Sequence, residues 1–335
     1  MTAACATRGE RRAPPVHPAL GSHPALGELD DAWSYMARHS RSFRLASRML
    51  DDAQRPHVVR MYAWCRFTDD LADRPQLDGD AAEAVEAWLD CSQEAYEGRP
   101  SGIDLVDRVM GEMARREIPF AYAADLVAGI RSDLRFTPFR TLAGLRVYTY
   151  RVAGVVGRWL AELHGVRDAW MLERAAALGH AMQLTNILRD VGEDWDQGRV
   201  YLPLATLAAH GLTAEDIGAM RRGERPVDPP YRAVIDELMT VASRDYAAAR
   251  EAIPLLPCRF RRAAAVAAAV YEGIHDMIRQ NGYDNLHRRA ATTPARKVVL
   301  ATGALWTASR SPALRRAVSL APPAAVGPTP VRDPG

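Results

Sequence analysis

Apolar residues recur along most of this chain three and four positions apart, the spacing that lines one face of a helix. Over Ala81–Glu97 they fall at Ala84, Val85, Trp88, Leu89, Cys91 and Ala95; over Tyr231–Ala252 they fall at Val234, Ile235, Leu238, Met239, Val241 and Ala242. Ala, Leu, Arg and Glu, all strong helix formers, fill the intervals. The pattern breaks at 74–80, 98–102, 136–139, 198–203, 223–230, 254–257 and 292–294, where Pro, Gly, Asp or Asn supply stop signals. No alternating run marks a strand. Long helices with short connections pack as antiparallel neighbours, so the expected fold is all-α, a single-domain bundle of long antiparallel helices. The Pro-, Ala- and Arg-rich ends lack this periodicity. The expected organisation is a flexible tail over 1–27, a helical domain over 28–310 and a second flexible tail over 311–335.

Composition narrows the function classes. The chain has 335 residues, 48% hydrophobic and 25% charged, an ordinary globular balance. Lys+Arg 43 against Asp+Glu 41 leaves a net charge of +2, without the basic excess of a nucleic-acid binder, so no nucleic-acid partner is expected. Cys5, Cys65, Cys91 and Cys258 stand far apart and form neither a zinc motif nor a disulfide framework. The longest purely apolar run, Ala263–Val270, is far short of the roughly 20 residues that span a bilayer. The N-terminus has arginines but no apolar core, unlike a secretory signal.

Two acidic constellations interrupt this background. The first runs from Arg66 through Asp69 and Asp70 to Asp73. Residues four apart share a helix face, so Asp69 and Asp73 point one way and Asp70 lies one step round. A solvated acidic face is the plain alternative, but carboxylates near a helix C-terminus oppose its dipole, and a cation would relieve that. The second runs from Gln183 to Asp194. Asn186, Asp190 and Asp194 stack at i, i+4 and i+8 while Leu184, Ile187, Leu188 and Val191 belong to a buried helix. Carboxylates in such surroundings are costly without compensating charge. Oxygen donors without His or Cys suit Mg²⁺, with Mn²⁺ as a substitute, rather than zinc. A di-iron bundle would require Glu-x-x-His pairs. None is suitably placed, since Glu162 precedes His164 by only two residues and His180 lacks a partner at that offset. Two Asp helices facing one cavity would instead hold divalent cations and, through them, a diphosphate.

The stretches His39–Phe43, Tyr62–Arg66 with Asp69–Asp73, Tyr148–Gly154, Gln183–Asp194, Gly198–Pro203, Tyr271, Asn281–Asn285 and Arg288-Arg289 occur in the order seen in a known family. On these motifs the chain resembles the head-to-head trans-isoprenyl diphosphate synthases, the squalene/phytoene synthase family, and above all its bacterial phytoene-forming branch. The resemblance covers about His39 to Arg289 and implies the isoprenoid synthase fold with a central cavity.

It also implies roles. Asp69, Asp73, Asn186, Asp190 and Asp194 would bind Mg²⁺ and the substrate diphosphates. His39, Ser40, Arg41, Ser42, Tyr62, Arg66, Gln183, Arg189 and Arg288 would line the diphosphate end, and Tyr148 and Tyr271 would sit near the reacting prenyl carbons. The reaction implied is condensation of two geranylgeranyl diphosphates through a cyclopropylcarbinyl intermediate to phytoene, without a nicotinamide cofactor. A C30 relative using farnesyl diphosphate would share every motif, and a non-catalytic lipid-binding or assembly factor of the same fold is the remaining alternative. Phe43, Phe67, Leu142 and Leu160 are candidate cavity walls, Trp195 a candidate cover for the site, and Arg259, Arg261 and Arg262 a candidate contact for anionic lipid. Because substrate and product are apolar, the expected setting is cytoplasmic, at the inner face of the cell membrane, with a carotenoid desaturase as the downstream partner. The sequence marks no amphipathic anchor and no oligomeric state.

Overall fold

The computed structural model describes residues 16–21, 23–73 and 80–310, and these are helical nearly throughout. In chain order the helices are α1 (Pro18–Gly21), α2 (Ala32–His39), α3 (Arg41–Ser47), α4 (Arg55–Asp73), α5 (Ala81–Tyr96), α6 (Asp104–Arg115), α7 (Ala121–Leu134) and α8 (Leu142–Thr149). A π-helical turn (Tyr150–Gly154) then leads into α9 (Val155–Leu163). After it come α10 (Ala169–Asp196), α11 (Leu204–Ala209), α12 (Ala214–Arg221), α13 (Pro229–Ala252), α14 (Cys258–Gln280) and α15 (Pro294–Arg310).

Local chemistry sets these boundaries. Asp80, Thr141, Asp168 and Asp228 cap α5, α8, α10 and α13 by accepting from backbone N–H groups of the first turn, which satisfies donors that otherwise lack partners. Thr213 and Asp216 cap each other reciprocally at α12. Pro229 and Pro230 open α13, where a missing N–H costs nothing. The expected breaks therefore fall between helices, except that 74–79 lies outside the described residues.

Two apolar cores flank the long central helix α10. The first lies among α4, α5, α6, α7 and α9. Its centre is Trp64, whose ring is 6.0 Å from Trp88 and 5.6 Å from Trp159. Both buried indoles have partners: Trp64 Nε1 donates to Ser92 Oγ at 3.1 Å and Trp88 Nε1 to Thr68 Oγ1 at 2.9 Å. The second core joins α10 to α11–α14 through Leu184, Leu188, Tyr231, Leu238 and Tyr246. Between α10 and the π-helical turn the backbones touch: a Cβ on Gly179 would lie 2.2 Å from Ala153 O, so only glycine permits this approach.

The described order begins ahead of Glu28. Leu20 and Ala25, which composition assigned to a tail, are buried in the first core. Residues 1–15 and 311–335 lie outside the described part, so the expectation of flexible tails there has no structural account.

Candidate active site

Helix α4 carries the first acidic motif, and its three aspartates divide the work. Asp70 is fully buried. It accepts from Tyr35 Oη of α2 and, at 2.6 Å, from Arg66 Nη2, with His39 Nε2 3.9 Å from its other oxygen. Asp70 therefore orients Arg66 and His39. Asp69 faces the opposite way, into a cavity. Burial, reinforced by Asp73, Asp70 and Asp133, pushes its carboxyl up to about 7 although Arg66 opposes the shift. Asp73, at the helix end, is exposed and lies 4.0 Å from Arg199.

The second motif occupies the last three turns of α10. Asn186 Oδ1 is buried and has no hydrogen-bond partner, while its amide donates to Gln183 Oε1 at 3.4 Å. Asp190 is gripped by two guanidiniums. Arg189 donates at 2.8 and 2.5 Å, and Arg289 donates at 2.8 and 3.2 Å. Asp194 sits among Asp190, Glu193 and Asp133, and burial pushes it up to about 7 against the pull of Arg199. Arg289 arrives through a backbone contact: Gly192 N donates to Asn285 O at 3.3 Å. Asn285 is itself fixed by Tyr231 Oη and by Leu188 O.

Between the two motifs stands Asp133 of α7, whose carboxyl is raised by burial. Tyr148 Oη donates to it at 2.7 Å and Tyr201 Oη at 3.0 Å. Phe136 and Phe139 pack against these phenols. Burial together with Asp133 pushes the hydroxyls of Tyr148 and Tyr201 far up, so both stay protonated and serve as donors.

Of these groups, Arg66, Asp69 and Asn186 reach one end of a cavity of about 560 Å³. Tyr62, Cys65, Arg66, Asp69, Gln183, Asn186 and Tyr271 line its polar end. Val152, Val156, Leu178, Met182, Val266 and Val270 form the walls beyond. Its far end holds Leu160, Met171, Leu256 and the stacked rings of His164 and Phe260, 3.9 Å apart and nearly parallel. Desolvation raises the phenols of Tyr62, to about 12, and of Tyr271.

Of the expected residues, Tyr62, Arg66, Asp69, Gln183, Asn186 and Tyr271 line the cavity, whereas His39, Asp73, Arg189, Asp190 and Asp194 lie outside its lining. Tyr148 does not line the cavity; its hydroxyl is committed to Asp133. Ser40 caps α3, accepting from Phe43 N at 3.1 Å. The side chains of Arg41 and Ser42 lie outside the described part. Arg289, not Arg288, touches Asp190, and Arg288 is exposed. Of the candidate walls, Phe43 and Leu160 line the cavity. Phe67 instead packs on Trp88, and Leu142 on the second core. Trp195 packs against Gly218 of α12, away from the cavity lining. Arg261 is buried and donates to Pro254 O, which leaves Arg259 and Arg262 exposed.

The sequence reading missed Asp133, Arg199, Tyr201, Arg289 and Lys297, the last being the chain's only lysine and part of the cavity lining. Arg199, Tyr201 and Arg289 lie inside quoted motifs; Asp133 carries no local signal.

The donor set suits a hard divalent cation. Asn186 Oδ1 is a buried acceptor without a hydrogen-bond partner, and burial, with neighbouring carboxylates, raises the carboxyls of Asp69 and Asp194 to about 7. Among the described residues no three His, Cys, Asp or Glu side chains converge on one point. Mg²⁺ commonly takes one or two carboxylates and completes its shell with water and substrate phosphates.

Comparisons with known proteins agree with this architecture. A model of the squalene/phytoene synthase family matches residues 36–296. A phytoene synthase of Thermus thermophilus is 40% identical over 272 residues, covering 80% of this chain and 89% of the relative. A phytoene synthase of Cereibacter sphaeroides is 37% identical over 284 residues, covering 82% and 78%. The crystal structure of a dehydrosqualene synthase superposes with a TM-score of 0.73 at 29% identity, covering 85% of this chain and 99% of that one.

Proposed function

The chain belongs to the squalene/phytoene synthase family, and from that premise we propose that it joins two geranylgeranyl diphosphates head to head to give phytoene. The carrying observation is one cavity whose polar end is lined by Tyr62, Arg66, Asp69, Gln183 and Asn186 and whose walls beyond are mostly apolar. Two C20 units combine to a cyclopropylcarbinyl diphosphate, with loss of one diphosphate and one proton. A second ionisation and rearrangement releases the other diphosphate and a second proton. No reductant is consumed, so no nicotinamide cofactor is required.

Each residue has a role in that scheme. Asp69, Asp73, Asn186, Asp190 and Asp194 would hold Mg²⁺, which when bound neutralises the charge developing on the leaving diphosphate. Arg66, Arg189 and Arg289 are oriented by Asp70 and Asp190 beside the same end and add fixed positive charge there. Asp133, with Tyr148 and Tyr201, positions Arg199 near Asp73. Tyr62 and Tyr271 stay neutral at the boundary between polar end and apolar walls, and those walls exclude water from a carbocation.

Cavity length supports the C20 substrate. Asn186 and Met171 bound the lining of α10 and stand fifteen residues apart, about 22 Å along the axis. A C20 tail, extended with C–C bonds of about 1.5 Å, reaches about 20 Å and a C15 tail about 15 Å. No described helix is long and apolar enough to cross a membrane; the solubility of substrate and product argues for work at a membrane surface. The test is incubation of purified protein with geranylgeranyl or farnesyl diphosphate and Mg²⁺, followed by identification of the extracted hydrocarbon. A C40 product is expected. Turnover of neither substrate would defeat the enzymatic reading, and a C30 product alone would defeat the C20 assignment.

A further inference from the structure

Both oxygens of Asp190 are taken up by arginine. Oδ1 accepts from Arg189 Nε and Arg289 Nε, each at 2.8 Å, and Oδ2 accepts from Arg189 Nη2 at 2.5 Å and Arg289 Nη2 at 3.2 Å. Two guanidinium forks thus grip one carboxylate, and its four acceptor positions are filled. Arg189 is the adjacent residue of α10, and its side chain is mostly buried. Arg289 comes from 99 residues away, on the segment that the Gly192–Asn285 bond holds against α10. Glu193 Oε1, 3.5 Å from Arg289 Nε, is a second and looser partner for that arginine. The facing motif is arranged differently: Asp69 faces the cavity, and Asp73 is exposed with Arg199 Nη1 4.0 Å away.

A guanidinium recognises phosphate oxygens by the same bidentate geometry with which it recognises a carboxylate. A divalent cation and a diphosphate that arrive together can therefore exchange partners with this cluster. The arginines pass to phosphate oxygens, and Asp190 passes to the cation. Either ligand alone leaves an ion behind. A cation alone would displace two guanidiniums and then sit beside them. Diphosphate alone would leave Asp190, only 16% exposed, without its partners, and a desolvated charge so stranded is costly.

We propose that Arg189 and Arg289 close Asp190 to divalent cations until a diphosphate draws them away, so that cation and diphosphate bind at the second motif only as a pair. Each then raises the affinity of the other by the same factor, as linkage requires. The proposal rests on the reading of this end as a diphosphate site, and not on the length of the prenyl chain or the reaction it undergoes.

The test titrates chelator-treated full chain with Mn²⁺, following free and bound ion by electron paramagnetic resonance, and dialyses the same protein against radiolabelled inorganic diphosphate. Without diphosphate, Asp190→Asn is expected to bind Mn²⁺ as the wild type does. Arg189→Gln and Arg289→Gln each free one acceptor position on each oxygen, and each is expected to bind Mn²⁺ alone about fivefold more tightly or better; adding Asp190→Asn to either should remove the gain. Arg288→Gln removes the same charge from an exposed neighbour and should gain nothing. In the reciprocal arm, Asp190→Asn releases both arginines and should bind diphosphate without metal about fivefold more tightly than the wild type. A loss of Mn²⁺ affinity in Asp190→Asn without diphosphate overturns the proposal. So does an equal gain in Arg288→Gln, or no gain in either of the other arginine variants. Prenyl substrates enter none of these titrations. A chain that behaves as expected here but converts neither prenyl diphosphate defeats the proposed reaction alone, and one that forms hydrocarbon but shows no gain defeats this proposal alone.

Discussion

Replacing Gly192 by alanine tests how the second acidic motif is built. A Cβ there would lie 2.0 Å from Leu286 O, 2.7 Å from its carbonyl carbon and 3.0 Å from its Cα. All three atoms are backbone, so no side chain can rotate away. Restoring an ordinary contact requires helix α10 and the 285–289 segment to part by about 1.3 Å, and overpacking of this kind costs about 1–3 kcal/mol. At about 2–4 °C per kcal/mol for a domain of this size, melting should fall by about 2–12 °C. The catalytic loss should be larger. Arg289 rides on the displaced segment, and its bonds to Asp190 at 2.8 and 3.2 Å cannot survive such a shift. A misplacement near 1 Å at a reacting site costs about 10²-fold. The assay is kcat/KM for hydrocarbon formation, with a circular-dichroism melt of the same preparation. Gly111→Ala is the control: that glycine lies within α6 with nothing within 4 Å of its added Cβ, so stability should hold or rise by roughly 0.5–1 kcal/mol and turnover should not change. Wild-type kcat/KM in Gly192→Ala would refute the reasoning, because the backbone contact would then not govern Asp190.

Three further outcomes are expected. Removing Arg289 should lower kcat/KM by about 10–100-fold, because it supplies two charge-assisted bonds to Asp190, whereas removing Arg288 should cost far less; the reverse ranking would contradict the site described. Asp69 has a folded-state pKa of about 7 against an ordinary 3.8. The unfolded chain therefore loses this proton first, and the group destabilises the metal-free fold progressively as pH rises from about 4 to 7. Metal-free Asp69→Asn should accordingly melt above the wild type by a margin that widens from pH 5 to pH 8, while turnover is lost; a margin independent of pH would show that Asp69 is not desolvated. Phe260→Ala opens the far end of the cavity beyond His164, and should raise use of a C25 diphosphate relative to C20 by about tenfold; an unchanged ratio in competing-substrate assays would remove that ring pair as the end stop.

The helices and the two acidic stripes were readable because each depends on residues close in sequence. The periodic apolar positions of α5 and α13 are nearly all buried, and Asn186, Asp190 and Asp194 share one face of α10 because its periodicity alone puts them there. What the sequence hid is tertiary. Asp133 belongs to the site only because α7 carries it beside Tyr148 and Tyr201, 15 and 68 residues away. Arg288 and Arg289 are indistinguishable as letters, and the backbone contact at Gly192 decides between them. Leu20 and Ala25 sit in a proline-rich stretch whose composition outweighed two buried side chains.

The π-helical turn at Tyr150–Gly154 has a consequence for registration. Val155 N bonds back five residues to Tyr150 O, so the chain is held back by about one residue, or ~100° of rotation, relative to a regular helix. The continuous run from Leu142 to Leu163 can thereby address three partners in succession. Tyr148 meets Asp133, Val152 and Ala153 wall the cavity, and Val155 and Trp159 enter the first core. The turn works as a phase shifter inserted in one rod, and it ties the angular position of the tyrosine cluster to that of the cavity wall. Deleting a residue there would leave a better helix that indexes its side chains to the wrong neighbours.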